Sequence, residues 1–124
     1  MSDILIVDDE PSVRQLLRDI LELEGHTVVE AADGPSALAQ LQVEKPQLML
    51  LDVMMPGMSG IDVLRVVRSL PELFDLPVLV LTASGDDETT WAGWTAGASS
   101  YLCKPFDPPN LLAWIDRLLT PVAG

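Results

Sequence analysis

The sequence predicts an α/β protein: a five-stranded parallel sheet, doubly wound, with five helices packed on its two faces. Short β-rich runs alternate with segments of helical period along the whole chain, the pattern of βαβ units. Four of the runs are apolar stretches that stop on a polar residue: Ile4–Val7 runs into Asp8-Asp9, Leu48–Leu51 into Asp52, Val78–Leu81 into Thr82 and Tyr101–Cys103 into Lys104. The 124 residues, 48% of them apolar, suit one domain over 1–124 with a core that needs no metal or disulfide staple.

Each element follows from local chemistry. After the first strand, Val13, Leu16, Leu17, Ile20 and Leu21 mark one helical face, with Pro11 near the first helical position and Gly25 as the stop. Thr27 to Ala31 reads as strand two. Gly34-Pro35 opens a second helix carrying Ala37, Leu38 and Leu41, which ends before Pro46. Strand three leads to Asp52 and a loop, Pro56-Gly57-Met58-Ser59-Gly60, and a third helix carries Ile61, Leu64 and Val67. Pro71 and Pro77 bound a longer connection that reads as a surface loop. Strand four is followed by Ser84-Gly85-Asp86-Asp87 and a short, poorly amphipathic fourth helix to about Gly97, with Trp91 and Trp94 as its bulky apolar residues. Strand five precedes Lys104-Pro105, and a fifth helix carries Leu111, Leu112, Ile115, Leu118 and Leu119 at 3.6-residue spacing.

Nineteen acidic residues against seven basic give a formal charge of −12, which disfavours direct contact with nucleic acid or an anionic membrane. That charge suits basic partners or divalent cations, although most of these carboxylates read as a solvated surface. Cys103 is the only cysteine, so no intrachain disulfide can form. The N-terminus lacks a basic, apolar leader and no stretch is long enough to span a bilayer, so a cytoplasmic protein is expected.

If the runs are parallel strands, their C-terminal ends share one edge, where open α/β sheets bind ligands. Three carboxylates, a hydroxyl and an ammonium then converge. Clustered carboxylates repel until a proton or a cation relieves them, and all-oxygen donors favour Mg²⁺, or Mn²⁺, over zinc. Asp8 or Asp9 could instead cap the helix beside Pro11, a role that accounts for one of them better than for both. Asp52 could be a turn residue, and Lys104 a surface lysine. Together they fit a site that accepts a phosphoryl group. A carboxylate can attack phosphorus to give an acyl phosphate, and the transferred group needs mainly positioning and charge neutralisation. The Lys104–Pro105 bond can be cis, which would help to aim the ammonium into the edge.

With "ILIVDDEP", "LLDVMMPGMSG", "VLTAS" and "YLCKPF" in this order, the chain resembles, over its whole length, the receiver domains of two-component response regulators. The resemblance implies a strand order of 2-1-3-4-5, as in chemotaxis members of that family. It implies that Asp52 is the phosphoacceptor, supplied by a histidine kinase or a histidine phosphotransfer protein. Asp9 would bind Mg²⁺ directly, Asp8 often through water, and the Met54 carbonyl would complete the ligand set. Thr82, Lys104 and the backbone N–H of Ala83 would contact the phosphoryl group, and Tyr101 matches an aromatic switch position coupled to the threonine. Met54 and Ser84 occupy positions where the family tunes the lifetime of the phosphoryl group. Such a domain is a self-modifying switch rather than an enzyme with a separate substrate.

In the family the fourth helix, fifth strand and fifth helix form the face that changes on phosphorylation. Strand alternation puts Tyr101 and Cys103 on one side of strand five and Leu102 on the other. Trp94 and Trp114 are expected to border the Tyr101 side, giving Trp94, Tyr101, Cys103 and Trp114 as a surface for a downstream protein or a phosphorylation-dependent dimer. Inward packing of both tryptophans is the alternative. Two other classes fit the residues less well. A Mg²⁺-dependent aspartyl phosphatase of the haloacid-dehalogenase type would carry Asp-x-Asp after the first strand, whereas Asp8 and Asp9 are adjacent. An FMN carrier would need Ser, Thr and Gly donors where this chain is acidic. Within the receiver reading, a relay intermediate and a receiver segment of a longer regulator stand beside a self-contained switch.

Overall fold

In the computed structural model the structure describes residues 3–82 and 97–120. The described elements run β1 (Asp3–Val7), α1 (Pro11–Leu23), β2 (Thr27–Ala31), α2 (Gly34–Val43), β3 (Leu48–Asp52), α3 (Gly60–Ser69), β4 (Val78–Thr82), β5 (Ser100–Cys103) and α4 (Pro108–Leu119). The expected fourth helix, with Trp91 and Trp94, lies outside the described residues, so the expected fifth helix is α4 here. The strands form one sheet of order β2-β1-β3-β4-β5, every pair parallel. This is the doubly wound architecture expected from the sequence.

The continuous apolar runs are explained by burial on both faces. All five residues of β3 and all five of β4 are buried, as parallel strands sandwiched between helices must be. Alternate side chains feed two cores. Leu5, Val7, Met49, Leu51, Val78 and Val80 pack with Ala37 and Leu41 of α2 and with Val63, Leu64 and Val67 of α3. Ile4, Ile6, Leu48, Leu50, Leu79, Leu81 and Leu102 pack with Leu17 and Leu21 of α1 and with Leu111 and Ile115 of α4. A one-residue slip of any strand would exchange the two sets.

Helix ends follow their signals. Pro11 opens α1, and Gly25 (φ +87°) turns the chain after it in the left-handed region that glycine enters without steric cost. Asp33 caps α2 by accepting from the Ser36 N–H at 2.8 Å. Ser59 and Asp62 form a reciprocal capping box at the start of α3.

The connection after α3 is more than an exposed loop. Leu73 and Leu76 are buried while Phe74 is exposed. Arg68, in the last turns of α3, donates to the carbonyls of Leu76 (2.7 Å), Phe74 (3.1 Å), Leu73 (3.4 Å) and Gly97 (2.7 Å). One guanidinium thus ties the helix end, the loop and the entry to β5 together, and burial pushes its pKa down.

A candidate phosphoryl-accepting site at the carboxyl edge of the sheet

The strand ends meet as the sequence pattern requires. β1 stops at Val7, β3 at Asp52 and β4 at Thr82, so the residues that close these strands gather at one edge. Carboxylate oxygens of Asp8, Asp9 and Asp52 all lie within 4.8 Å of one another. Asp8 is fully buried and Asp52 nearly so; Asp9 is the most open of the three. Lys104, which follows β5, reaches back to donate from Nζ to Asp8 Oδ2 at 2.9 Å and to Asp52 Oδ1 at 3.3 Å. The Lys104–Pro105 peptide is cis.

Electrostatics set the character of the edge. Burial, and then the negative charge of Asp8, push the Asp52 carboxyl above its ordinary range, against the pull of Lys104 and of a hydrogen bond with the Met54 backbone. Burial works to lower the pKa of Lys104, but its bonds and charge interactions with Asp8 and Asp52 outweigh this and raise it. Lys104 therefore stays charged at neutral pH. Three carboxylates against one ammonium still leave an excess of negative charge at oxygen-only donors. That donor set fits a hard divalent cation.

Asp8 is pinned by more than Lys104. Its Oδ1 accepts from the Glu10 N–H at 2.9 Å, and its carbonyl accepts from Arg14 Nη1 at 2.7 Å. The residue in the N-cap position of α1 is Glu10, which makes no side-chain capping bond. The capping role considered for Asp8 or Asp9 is therefore not the one they fill.

Thr82 is buried at the end of β4, beside β5 in register with Cys103, and its carbonyl accepts from the Lys104 N–H at 2.7 Å. Asp52 pairs with Leu81, which places Thr82 one residue further along the neighbouring strand. Met54 is exposed just beyond the end of β3. Ala83, Ser84 and Trp94 lie outside the described residues.

One expectation is corrected. Tyr101 packs partly against the core beneath α2 and α3, whereas Trp114 packs against the core beneath α1 and α4, the side of Leu102. Trp114 does not border the Tyr101 side. The cause is the position of α4, whose buried Leu111 and Ile115 rest on the core that holds Leu102, Leu79 and Leu81. The Arg117 guanidinium lies over the Trp114 ring, 5.4 Å from its centre, a cation–π arrangement. Cys103, on the Tyr101 side, is exposed.

Two contributors were not singled out from the sequence. Gly60 is the first residue of α3 rather than a loop end, and a Cβ there would overlap the Asp52 carbonyl oxygen. Only glycine lets α3 start so close to the strand that bears Asp52, and the Gly60 N–H donates to the Val53 carbonyl at 3.0 Å. The "SGID" sequence, a Ser N-cap with an acid three residues on, carried the signal. Arg14 is the other. An arginine on an amphipathic helix gives no sequence signal that separates it from solvated neighbours.

The response regulator receiver domain model matches residues 4–116. This chain belongs to the response-regulator receiver family. The receiver is 46% identical over 116 residues to the response regulator MprA of Mycobacterium ulcerans, covering 94% of this chain and 49% of that protein. It is 45% identical to the probable transcriptional regulator ycf27 of Cyanophora paradoxa, covering 94% and 47%. It thus spans about half the length of these relatives. Among solved structures it is similar to the chemotaxis protein CheY4 of Vibrio cholerae, with a TM-score of 0.91, 37% identity and coverage of 96% and 99%. A putative response regulator from Chloroflexus aurantiacus superposes with a TM-score of 0.92 at 39% identity, covering 95% of this receiver and 97% of that chain. Receivers of this family belong to two-component phosphorylation-dependent signalling. No helix among the described residues is long and apolar enough to cross a membrane.

Proposed function

We propose that the chain acts as one receiver domain in which Asp52 accepts a phosphoryl group. The observation that carries this reading is the convergence of Asp8, Asp9 and Asp52 within 4.8 Å with the Lys104 ammonium bonded to two of them. An Asp52 carboxylate oxygen attacks the phosphorus of a donor phosphohistidine. The P–O bond forms as the P–N bond breaks, and the imidazole leaves with the electron pair. Asp8, Asp9 and Asp52, with the Met54 carbonyl, would hold Mg²⁺ or Mn²⁺. Bound there, the ion supplies neutralisation of phosphoryl oxygen charge. Lys104 is already aimed at Asp52, so its ammonium is placed to pair with a second oxygen, and Thr82 with the Ala83 N–H would take the third. Nothing in this chemistry turns over a separate substrate, so the chain is read as a switch and not an enzyme.

The donor is a sensor histidine kinase or a histidine phosphotransfer protein in the cytoplasm. The output would pass through Thr82 and Tyr101 to the β5 side of the sheet, because β5 ends the strand order among the described residues and carries Tyr101. Tyr101 and the exposed Cys103 then contribute to a surface at that edge, offered to a downstream protein or a second copy. A second reading, a receiver segment of a longer regulator, is favoured by curated relatives about twice as long, one of them named a probable transcriptional regulator.

Incubation with acetyl phosphate and Mg²⁺, read by intact mass, tests the central claim. One phosphoryl group should add to the wild-type chain and none to Asp52→Asn. No gain, or an equal gain in the variant, would remove Asp52 as acceptor. Pull-down with and without beryllofluoride then tests the output surface.

A further inference from the structure

A second cation lies close to the acidic edge but spends its charge elsewhere. Arg14, one turn into α1, is largely buried. Its Nε donates to Glu30 Oε1 at 3.0 Å, and its Nη1 donates to the Asp8 carbonyl at 2.7 Å. Glu30, on β2 in register with Ile6, also accepts from Arg18 Nε at 2.6 Å through its other oxygen. The two arginines stand four residues apart on one face of α1, so a single carboxylate holds both. The hydrogen bond with Arg18, helped by Arg14, keeps Glu30 below the ordinary carboxylate range and so ionised at neutral pH.

The target of Arg14 is a neutral carbonyl where β1 has ended. Asp8 still donates its N–H to the Ala31 carbonyl at 3.2 Å, and its side chain is engaged by Glu10 and Lys104. The Arg14 bond therefore fixes the one remaining polar group of Asp8, on the peptide that leads directly into Asp9. Glu30 meanwhile offsets the Arg14 charge, which would otherwise repel a cation at the edge.

We infer that Arg14, locked by Glu30, is a positioning residue for the divalent-cation site: its guanidinium fixes the Asp8 carbonyl and with it the Asp8–Asp9 main chain. The inference rests on the proposed cation site. Its direction is unusual, because removing a nearby positive charge should by electrostatics alone tighten cation binding. A positioning role demands the opposite, since loss of groups that orient metal ligands typically weakens binding about 10- to 100-fold.

The test is titration of the intact chain with Mn²⁺, following free Mn²⁺ by electron paramagnetic resonance, on wild type, Asp9→Asn, Arg14→Met, Arg18→Met and Glu30→Gln. Wild type should bind one ion that Asp9→Asn loses. Arg14→Met should weaken binding about 10-fold or more, Glu30→Gln less, and Arg18→Met should leave it unchanged or tighter. The Asp8 carbonyl ¹³C resonance, read without metal, should move in Arg14→Met and stay in Arg18→Met. Unchanged or tighter binding in Arg14→Met overturns the positioning role while the cation site stands. If Arg14→Met does not fold, Glu30→Gln decides, and wild-type affinity in that variant overturns the role. Absence of an Asp9-dependent ion in wild type overturns the site and the role together.

Discussion

Arg14 and Lys104 approach the same aspartate from opposite flanks of the sheet, and they differ in what holds them. Arg14 is fastened to Glu30 and meets only the main chain of Asp8. Lys104 has its ammonium on two carboxylates, Asp8 and Asp52. The first cation is neutralised by a residue outside the site, so it can shape the site without filling it. The second takes its compensation from the site itself, so any cation or phosphoryl group that arrives must renegotiate the position of Lys104. One flank is built as a frame and the other as the responsive part.

The largest break in this contrast is Lys104→Met. It strands Asp8 and Asp52 together in a buried setting, and the metal-free fold should lose on the order of 3 kcal/mol by urea unfolding. Mg²⁺ should restore most of that loss, because the ion takes over the role of the ammonium; a loss that Mg²⁺ leaves untouched would show Lys104 to be part of the frame. Gly60→Ala perturbs Asp52 from its other side. Overlap with the Asp52 carbonyl should cost roughly 2 kcal/mol and slow phosphoryl incorporation, with the Arg14–Asp8 contact preserved in the Asp8 carbonyl resonance.

Smaller effects sharpen the contrast. Glu30→Gln should cost roughly 0.5–1 kcal/mol at neutral pH, as suits a partly exposed pair. Folding lowers the Glu30 pKa, so its contribution is present above the unfolded-state value and is lost as pH falls through the folded one. The deficit of the variant should therefore shrink in acid. Asp52→Asn should do the reverse of damage. Folding raises the Asp52 pKa, so the stability linked to its proton is present below the unfolded-state value and is lost as pH rises through the folded one. Without metal, the variant should melt slightly higher than wild type at pH 7, and the gain should vanish as pH falls below the ordinary carboxylate range. A lower melting temperature at pH 7 would mean that the Lys104 bond outweighs the burial of Asp52.

Much of the frame was legible because parallel strands buried on both faces write themselves as unbroken apolar runs. β3 and β4 show this best, and their ends delivered Asp52 and Thr82. The meeting of Asp8, Asp9, Asp52 and Lys104 could be anticipated because topology, rather than side-chain detail, brings strand ends to one edge. Arg14 and Glu30 were not legible, since a pair sixteen residues apart on a helix and an edge strand has no periodic signature. For Gly60 the helix start is legible in the Ser59–Asp62 capping pair, but its close approach to the Asp52 carbonyl is a contact with a neighbouring strand's backbone, which the sequence does not mark. Trp114 was assigned to the wrong side because alternation along β5 distinguishes two sides without telling which of them α4 covers.

Arg68 has a consequence for cleavage. Phe74 is exposed and lies between Pro71 and Pro77, where an aromatic-specific protease would be expected to cut. Cutting requires the backbone to lift into an extended strand within the protease cleft. Here Leu73 and Leu76 are buried, and one guanidinium engages three of the four carbonyls from Leu73 to Leu76. The bait is on the surface, but the line is tied below it. Chymotrypsin should leave this loop intact until Arg68 is replaced.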